Sequence, residues 1–294
     1  MQKKKKIRFI INPVSGANRS ENKEKIIHDN LNHEIYDYEC RYTEAKGHAQ
    51  RLSAEAVELG FDIVVAYGGD GTVNEVASGL LDSHVPLGII PGGSGNGFAM
   101  YIGMGRNTAQ AVKKLNNVEL RAIDTCTVND IFFINLAGVG FDALIAYKAE
   151  NEKSRGLKMY VNLVGKEMIK FKAENFKVIY DGETMEGAFT TIAVANAPMY
   201  GYNFTVAPKA ELSDGLFDIV FIKEASILRT LSASWRMLNN TLDKSSLVEV
   251  RKAKNVKVIS QKPYYFHVDG ESFEFTDTLE FNMNPLSLKV LFPI

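Results

Sequence analysis

The chain has 294 residues, 46% hydrophobic and 23% charged, with a formal net charge of −1. This is enough apolar material for one large core or two ordinary ones, so two domains are expected, and the balanced charge leaves no footprint for nucleic acid. Cys40 and Cys126 form neither a disulfide framework nor a zinc spacing, and no apolar run approaches the roughly 18 residues of a membrane span.

The first strand is announced by Lys3–Lys6 and Arg8, a basic cluster read as a solvated lead-in; weak attraction to an anionic membrane is the sharper alternative. IRFIIN (7–12) is a continuous apolar strand, too short for a signal segment and ended by Asn12-Pro13, so a cytoplasmic protein is expected. Residues 20–31 carry Ile26, Ile27 and Leu31 at helical spacing. IYDYECRYT (35–43) alternates as a strand, and 47–60 places Ala49, Leu52, Ala56 and Leu59 along one helix face. DIVVAYGG and PLGIIPGG are buried-type strands, each followed by a helical pattern. Strand–helix alternation of this kind predicts a parallel sheet with helices on both faces.

The rhythm changes near residues 122–125. DTCTVNDIFFINLAGVGF predicts two strands around a turn at Asn129-Asp130, then one long helical region over 142–172. Seven short strand-like runs follow, interrupted by a helix near 225–241 that holds the only tryptophan, Trp235. Close-spaced strands with turn signals predict a β-rich, sandwich-like second domain. The expected domains are 1–123 and 124–284, with 285–294 free to pack back on the first.

Four strand ends in the first half carry unusual residues: NPVSG (12–16), RYTEAKGHA (41–49), GGDGTVNE (68–75) and PGGSGNGFA (91–99). In an open parallel sheet such loops lie beyond the carboxyl ends of the strands, where ligands bind. Glycines let backbone amides approach phosphate oxygens, and the helix that follows adds partial positive charge, with Thr72 or Ser94 free to cap or donate. One such turn is as well explained by a tight strand–helix connection; four at one edge point to an anion. Asp70 is out of place beside phosphate unless it fixes the loop, acts through Mg²⁺ or accepts a proton. Neither a P-loop nor a dinucleotide fingerprint is present.

NPVSG, GGDGTVNEV, PGGSGNGFA, SDGLFD and HVDGE, in this order from Asn12 to Glu271, resemble the diacylglycerol kinase/sphingosine kinase catalytic family of lipid kinases. The resemblance implies an N-terminal α/β domain like that of NAD kinase, a β-rich C-terminal domain, and ATP in the cleft between them. It implies nucleotide contacts from Asn12, Pro13, Thr43, the loop Gly68, Gly69, Asp70, Gly71, Thr72, Asn74 and Glu75, and from Ser94, Gly95 and Asn96. It implies a structural Mg²⁺ site at Asp214 and the carbonyls near Glu211 and Leu216; an ordinary turn is the plain reading of the same residues. In HVDGE, Asp269 and Glu271 would share one face of an extended strand. The resemblance makes Asp269 the base at the attacking hydroxyl, with Glu271 in support and Asp70 as its rival; a DG hairpin turn is the plain reading.

The substrate implied is a membrane lipid, met by peripheral membrane contact. GSGNGFA is closer to the sphingosine and ceramide kinase form of its loop than to the Thr-Asn-Asp form of many bacterial diacylglycerol kinases. Residues 138–160 resemble the sphingosine kinase segment whose acid lies near the lipid amine, which would be Asp142; a helix N-cap explains the same residue. The aromatic run 197–208 is a candidate lining for the acyl chain. An edge strand of the first domain is available for pairing with a second copy. NAD kinase is the competing enzyme, although its Thr-Pro-Thr-Gly-Ser-Thr-Ala loop is missing, and a non-catalytic nucleotide- or lipid-binding module is the third reading.

Overall fold

The computed structural model describes residues 3–16, 22–152, 156–275 and 277–294. The chain divides into two units: Met1–Ile123 with Leu286–Ile294, and Asp124–Pro285.

The first unit begins with β1 (Lys5–Ile11), α1 (Lys23–Asn30), β2 (Tyr36–Tyr42), α2 (His48–Glu58), β3 (Ile63–Gly68), α3 (Asp70–Gly79), β4 (Leu87–Pro91), α4 (Gly97–Tyr101) and α5 (Thr108–Leu115). The strands run parallel in the order β2-β1-β3-β4, with β1 paired to both β2 and β3. β3 and β4 are buried at every position, as expected of parallel strands covered on both faces. Asn22 and Asn107 cap α1 and α5 by accepting from the amides of Lys25 and Gln110. The expected helix over 20–31 is seen as Lys23–Asn30; residues 20 and 21 lie outside the described residues.

β5 (Val118–Val128) leads into the second unit. There follow β6 (Ile131–Phe133), β7 (Leu136–Gly140), α6 (Phe141–Glu150), α7 (Leu157–Met168), β8 (Glu174–Tyr180), β9 (Glu183–Ala195), β10 (Phe217–Lys223), α8 (Ile227–Leu238), β11 (Val248–Ala253), β12 (Val256–Ser260), β13 (Tyr264–Val268), β14 (Glu271–Phe275) and β15 (Thr278–Pro293). The sheet runs β14-β13-β7-β9-β8-β12-β15, and β10 adds to β9 and β11. These named pairs are antiparallel. The core is aromatic and β-branched: Phe133, Phe217 and Phe221 are fully buried, and Phe133 stacks on Phe217 at 6.3 Å. β15 serves both units: Val256 pairs with Phe281 in the second, and Val290 with Leu87 in the first.

Two expectations need correction. The helical region 142–172 is two helices, because Asn151 ends α6 and Gly156, at φ 108°, precedes α7; residues 153–155 lie outside the described residues. Arg8 is not part of a solvated cluster. It is fully buried on the helix-covered face of β1, its Nε 2.6 Å from Glu39, one terminal nitrogen 3.0 Å from the Leu52 carbonyl and 3.2 Å from Glu55, and its guanidinium 4.6 Å above the Phe61 ring. The positions flanking it in sequence, Ile7 and Phe9, are buried as well, so alternation gave no warning.

Neither cysteine is built for reactivity. Burial first, then Glu24 and Glu39, push the Cys40 thiol up to about 12, and burial raises the Cys126 thiol well above its usual range. At pH 8 both thiols are expected to label slowly with a disulfide reagent until urea unfolds the chain; fast labelling of Cys40 in the native protein would contradict this. Arg8→Ala is expected to cost about 3 kcal/mol in a urea titration, through lost packing and the loss of its bonds to Glu39, the Leu52 carbonyl and Glu55.

Candidate active site

The loops after β1, β2, β3 and β4 meet at the carboxyl edge of the first unit's sheet, and backbone contacts set their spacing. The Gly92 amide donates to the Gly68 carbonyl at 2.7 Å, and the Thr43 amide to the Ile11 carbonyl at 2.9 Å. A Cβ added to Gly93 would lie 2.5 Å from the Cα of Gly69; one on Gly68 would lie 2.4 Å from the Thr72 hydroxyl. Gly92 similarly has no room, with Ser15 Oγ at 2.9 Å from such an atom. Gly92 and Gly93 are therefore required by loop-to-loop contact, and Gly68 by Thr72 of its own loop, whatever the loops bind.

Side chains then lock the loops. Asn12 accepts from the Val14 amide and donates to Thr72, which ties the first loop to the third. Asp70 occupies the first residue of α3, where a negative charge suits the helix dipole. Asn96, buried and at φ 50°, accepts from the Gly93 amide and donates to the Gly93 carbonyl, so its side chain braces its own loop. Glu75 accepts from the amides of Gly47 and Ala49 at 2.8 and 3.1 Å, fastening α3 to the start of α2. Both residues, expected as nucleotide contacts, thus have side chains committed to the scaffold. Pro13, Gly71 and Ser94 are exposed, while Thr43, Gly69, Asp70, Asn74 and Gly95 are half-buried.

Sequence reasoning missed Lys23. Its buried ammonium group reaches from α1 under the first loop, donating to the Asn12 carbonyl at 2.6 Å and to Ser15 at 3.1 Å, with the Tyr67 ring 5.3 Å away. A lysine at the start of a polar helix carries no signal of burial.

In the second unit, HVDGE folds as its plain reading had it. Val268 pairs with Glu271, and Asp269-Gly270, at φ 48° and 90°, form the two-residue turn between β13 and β14. The two acids therefore do not share a face of one extended strand, because a turn separates them. The Asp269 carboxylate accepts from three successive backbone amides, Ile134, Asn135 and Leu136, at 3.0–3.1 Å. Asn196 extends the network, its amide donating to the carbonyls of Ile134 and Asp124. Asp142 is not an N-cap; Gly140 holds that position. Its Oδ2 accepts from the Tyr200 hydroxyl at 2.7 Å and lies 3.0 Å from His267 Nε2. Burial, with Asp142 adding to it, raises the Tyr200 hydroxyl well above its usual range and keeps it a donor. Gly138 has no side chain because a Cβ would sit 2.7 Å from that Asp142 oxygen.

At the turn 211–218, the Asp214 Oδ1 accepts from the Leu216 amide, and its Oδ2 accepts from Lys252 at 2.7 Å. Lys252 also lies 3.0 Å from the buried Asp218, and the Gly215 amide donates to Asp124. Burial raises the Asp218 carboxyl, with Lys252 opposing. Burial also weighs against the Lys252 charge, but its bonds to Asp214 and Asp218 prevail and raise it. Glu211 is exposed. Among the described residues no cluster of three His, Cys, Asp or Glu side chains has metal-binding geometry. The turn carries its own cation, Lys252, and both Asp214 oxygens are engaged.

The fold and site define a class: an α/β unit whose glycine loops converge at one sheet edge, joined to an antiparallel β-rich unit with acids at its turns. Residues 6–128 match the diacylglycerol kinase catalytic domain, and residues 135–292 match the YegS C-terminal NAD kinase beta sandwich-like domain. The chain is 30% identical to a diacylglycerol kinase of Bacillus subtilis (strain 168), over 91% of its length and 90% of that protein's. It is 27% identical to a diacylglycerol kinase of Staphylococcus saprophyticus, over 91% and 89%. A crystal structure of a diacylglycerol kinase from Bacillus anthracis superposes with a TM-score of 0.74 at 20% identity, covering 99% of this chain and 98% of that one. The chain belongs to the diacylglycerol kinase family of lipid kinases.

The Gly69–Gly93 contact generates a graded prediction. Gly93→Ala forces backbone apart and is expected to cost about 1–3 kcal/mol and most of the nucleotide affinity. Gly69→Ala, whose Cβ would meet Gly93 Cα at 3.3 Å, is expected to cost clearly less. Denaturation and nucleotide titration of both variants check this; equal effects would contradict it.

Proposed function

We propose that this protein is an ATP-dependent lipid kinase that transfers the γ-phosphoryl group of Mg-ATP to a hydroxyl of a membrane lipid. The observation that carries the reading is the convergence of the glycine loops onto one sheet edge, within a chain of the lipid-kinase family. We assign the amides of Gly69, Gly71, Ser94 and Gly95, at half-buried or exposed positions of these loops, as the donors for the nucleotide phosphates, and the start of α3 adds its dipole. The metal of Mg-ATP arrives with the substrate, and no step is assigned to a cation at the 211–218 turn.

In the transfer, the lipid oxygen bonds to the γ-phosphorus as the bond to the β–γ bridging oxygen breaks, ADP leaves, and the hydroxyl proton passes to a carboxylate. Asp269 was the expected acceptor. Three amide donors already occupy most of the lone-pair sites of its carboxylate, which suits it to holding the 134–136 segment and the hairpin turn in place. We assign the proton acceptor to Glu271, beside that turn, with Asp269 as the positioning group and Asp70 as a loop residue near the phosphates. Sphingoid base, ceramide and diacylglycerol remain the candidate acceptors.

The test is phosphate transfer from labelled Mg-ATP to sphinganine, ceramide, diacylglycerol and phosphatidylglycerol in mixed micelles, with NAD as a soluble acceptor. One lipid is expected to be labelled; labelling of NAD alone would overturn the reading. Glu271→Gln is expected to lower kcat by about 10²–10⁴-fold with the melting temperature unchanged. Asp269→Asn should lower both activity and thermal stability. A stable, inactive Asp269→Asn beside an active Glu271→Gln would return the base to Asp269.

A further inference from the structure

Lys23 stands at the first residue of α1, where the helix dipole disfavours a cation, and its side chain is buried, which disfavours any charge. The neighbouring acid, Glu24, accepts from the Tyr42 hydroxyl at 2.8 Å. A residue that breaks two local rules at once marks a place where function overrides them.

What the ammonium group holds is one short loop. It donates to the Asn12 carbonyl at 2.6 Å, and to the Ser15 carbonyl and hydroxyl at 3.1 Å each. The Ser15 hydroxyl donates in turn to the Asn12 carbonyl at 2.9 Å. The backbone acceptors of Asn12 and Ser15 are thereby turned inward, toward α1. The amides of the loop divide differently. Pro13 has none, the Val14 amide goes to the Asn12 side chain, and the Ser15 amide goes to the Asn12 carbonyl. That leaves the amide of Gly16, an exposed residue at φ 94°. Gly16 also lies against the fourth loop, since a Cβ there would sit 3.1 Å from the Gly92 carbonyl.

The Gly16 amide belongs to the same peptide unit as the Ser15 carbonyl that meets Lys23. A cation on the carbonyl oxygen polarises the unit and makes its N–H a stronger donor. We propose that Lys23 is a positioning residue for the phosphate tail of a nucleoside polyphosphate. Acting through Asn12 and Ser15, it presents a strengthened Gly16 amide to phosphate and sets a positive charge beneath the loop, so that affinity climbs with phosphate number. This deepens the kinase reading and rests on it for the identity of the ligand.

The test compares the full-length parent, Lys23→Met and Lys23→Arg by calorimetric titration with adenosine, ADP and ATP in Mg²⁺, beside steady-state kinetics. Methionine keeps the stem and removes the charge and its donors; arginine keeps the charge. Lys23→Met is expected to weaken ATP binding about tenfold or more, ADP binding less, and adenosine binding not at all. KM for ATP should rise in step while KM for the lipid acceptor holds. Lys23→Arg should lose less than Lys23→Met and keep the order ATP, ADP, adenosine. A loop that is only propped up would lose affinity for all three ligands alike, and that result would overturn the inference, as would unchanged ATP affinity in Lys23→Met. A second readout needs no variant, in case Lys23→Met does not fold. In the parent, ADP and ATP should move the Gly16 amide proton resonance downfield and adenosine should leave it in place; a resonance indifferent to phosphate contradicts the proposal. A parent that binds adenosine as tightly as ATP fails at the earlier step, and the kinase reading falls together with this inference.

Discussion

Two glycine backbones in contact set the geometry of the first unit's candidate site. Where Gly93 meets Gly69 there is no space for one methyl group, and where Gly68 meets Thr72 there is less. The loops after β3 and β4 can approach this closely only because neither carries a side chain at the crossing. The rest follows outward: Asn96 closes the loop beyond, Asn12 bridges to Thr72, Glu75 anchors α2, and Lys23 supports the first loop from below. An array of backbone donors held this way needs little rearrangement to meet an anion.

The second unit uses the same device on an anion of its own. There a protein carboxylate, Asp269, sits among three amides and joins the β13–β14 turn to the segment before β7. Asn196 and Asp124 extend this polar framework toward the 211–218 turn, where Lys252 balances Asp214 and Asp218. Fixed backbone dipoles thus hold Asp269, and the Lys252 ammonium group holds Asp214 and Asp218.

The fold class and the family were legible in the sequence because both rest on local signals. Period changes separate IVVAYG from the helix after it, and glycine clusters mark the loops. Side-chain commitments were not legible. Glu75 and Asn96 sit in the right motifs, yet their hydrogen bonds run to backbone 26 to 28 residues away in one case and three in the other. Sequence spacing carries neither. Arg8 looked solvated, and Lys23 went unnoticed, because composition treats every basic residue as a surface group. The Asp269–Glu271 pair was misplaced by assuming extended chain, although Asp-Gly between β-type runs is itself a turn signal.

The central claim is that the converged glycine loops bind phosphate, and calorimetric titration with adenosine, ADP and ATP in the presence of Mg²⁺ tests it most directly. The account predicts that affinity rises steeply from adenosine to ADP to ATP, because each added phosphate meets backbone donors already in place. Adenosine binding as tightly as ATP, or no binding of any of the three, would contradict it.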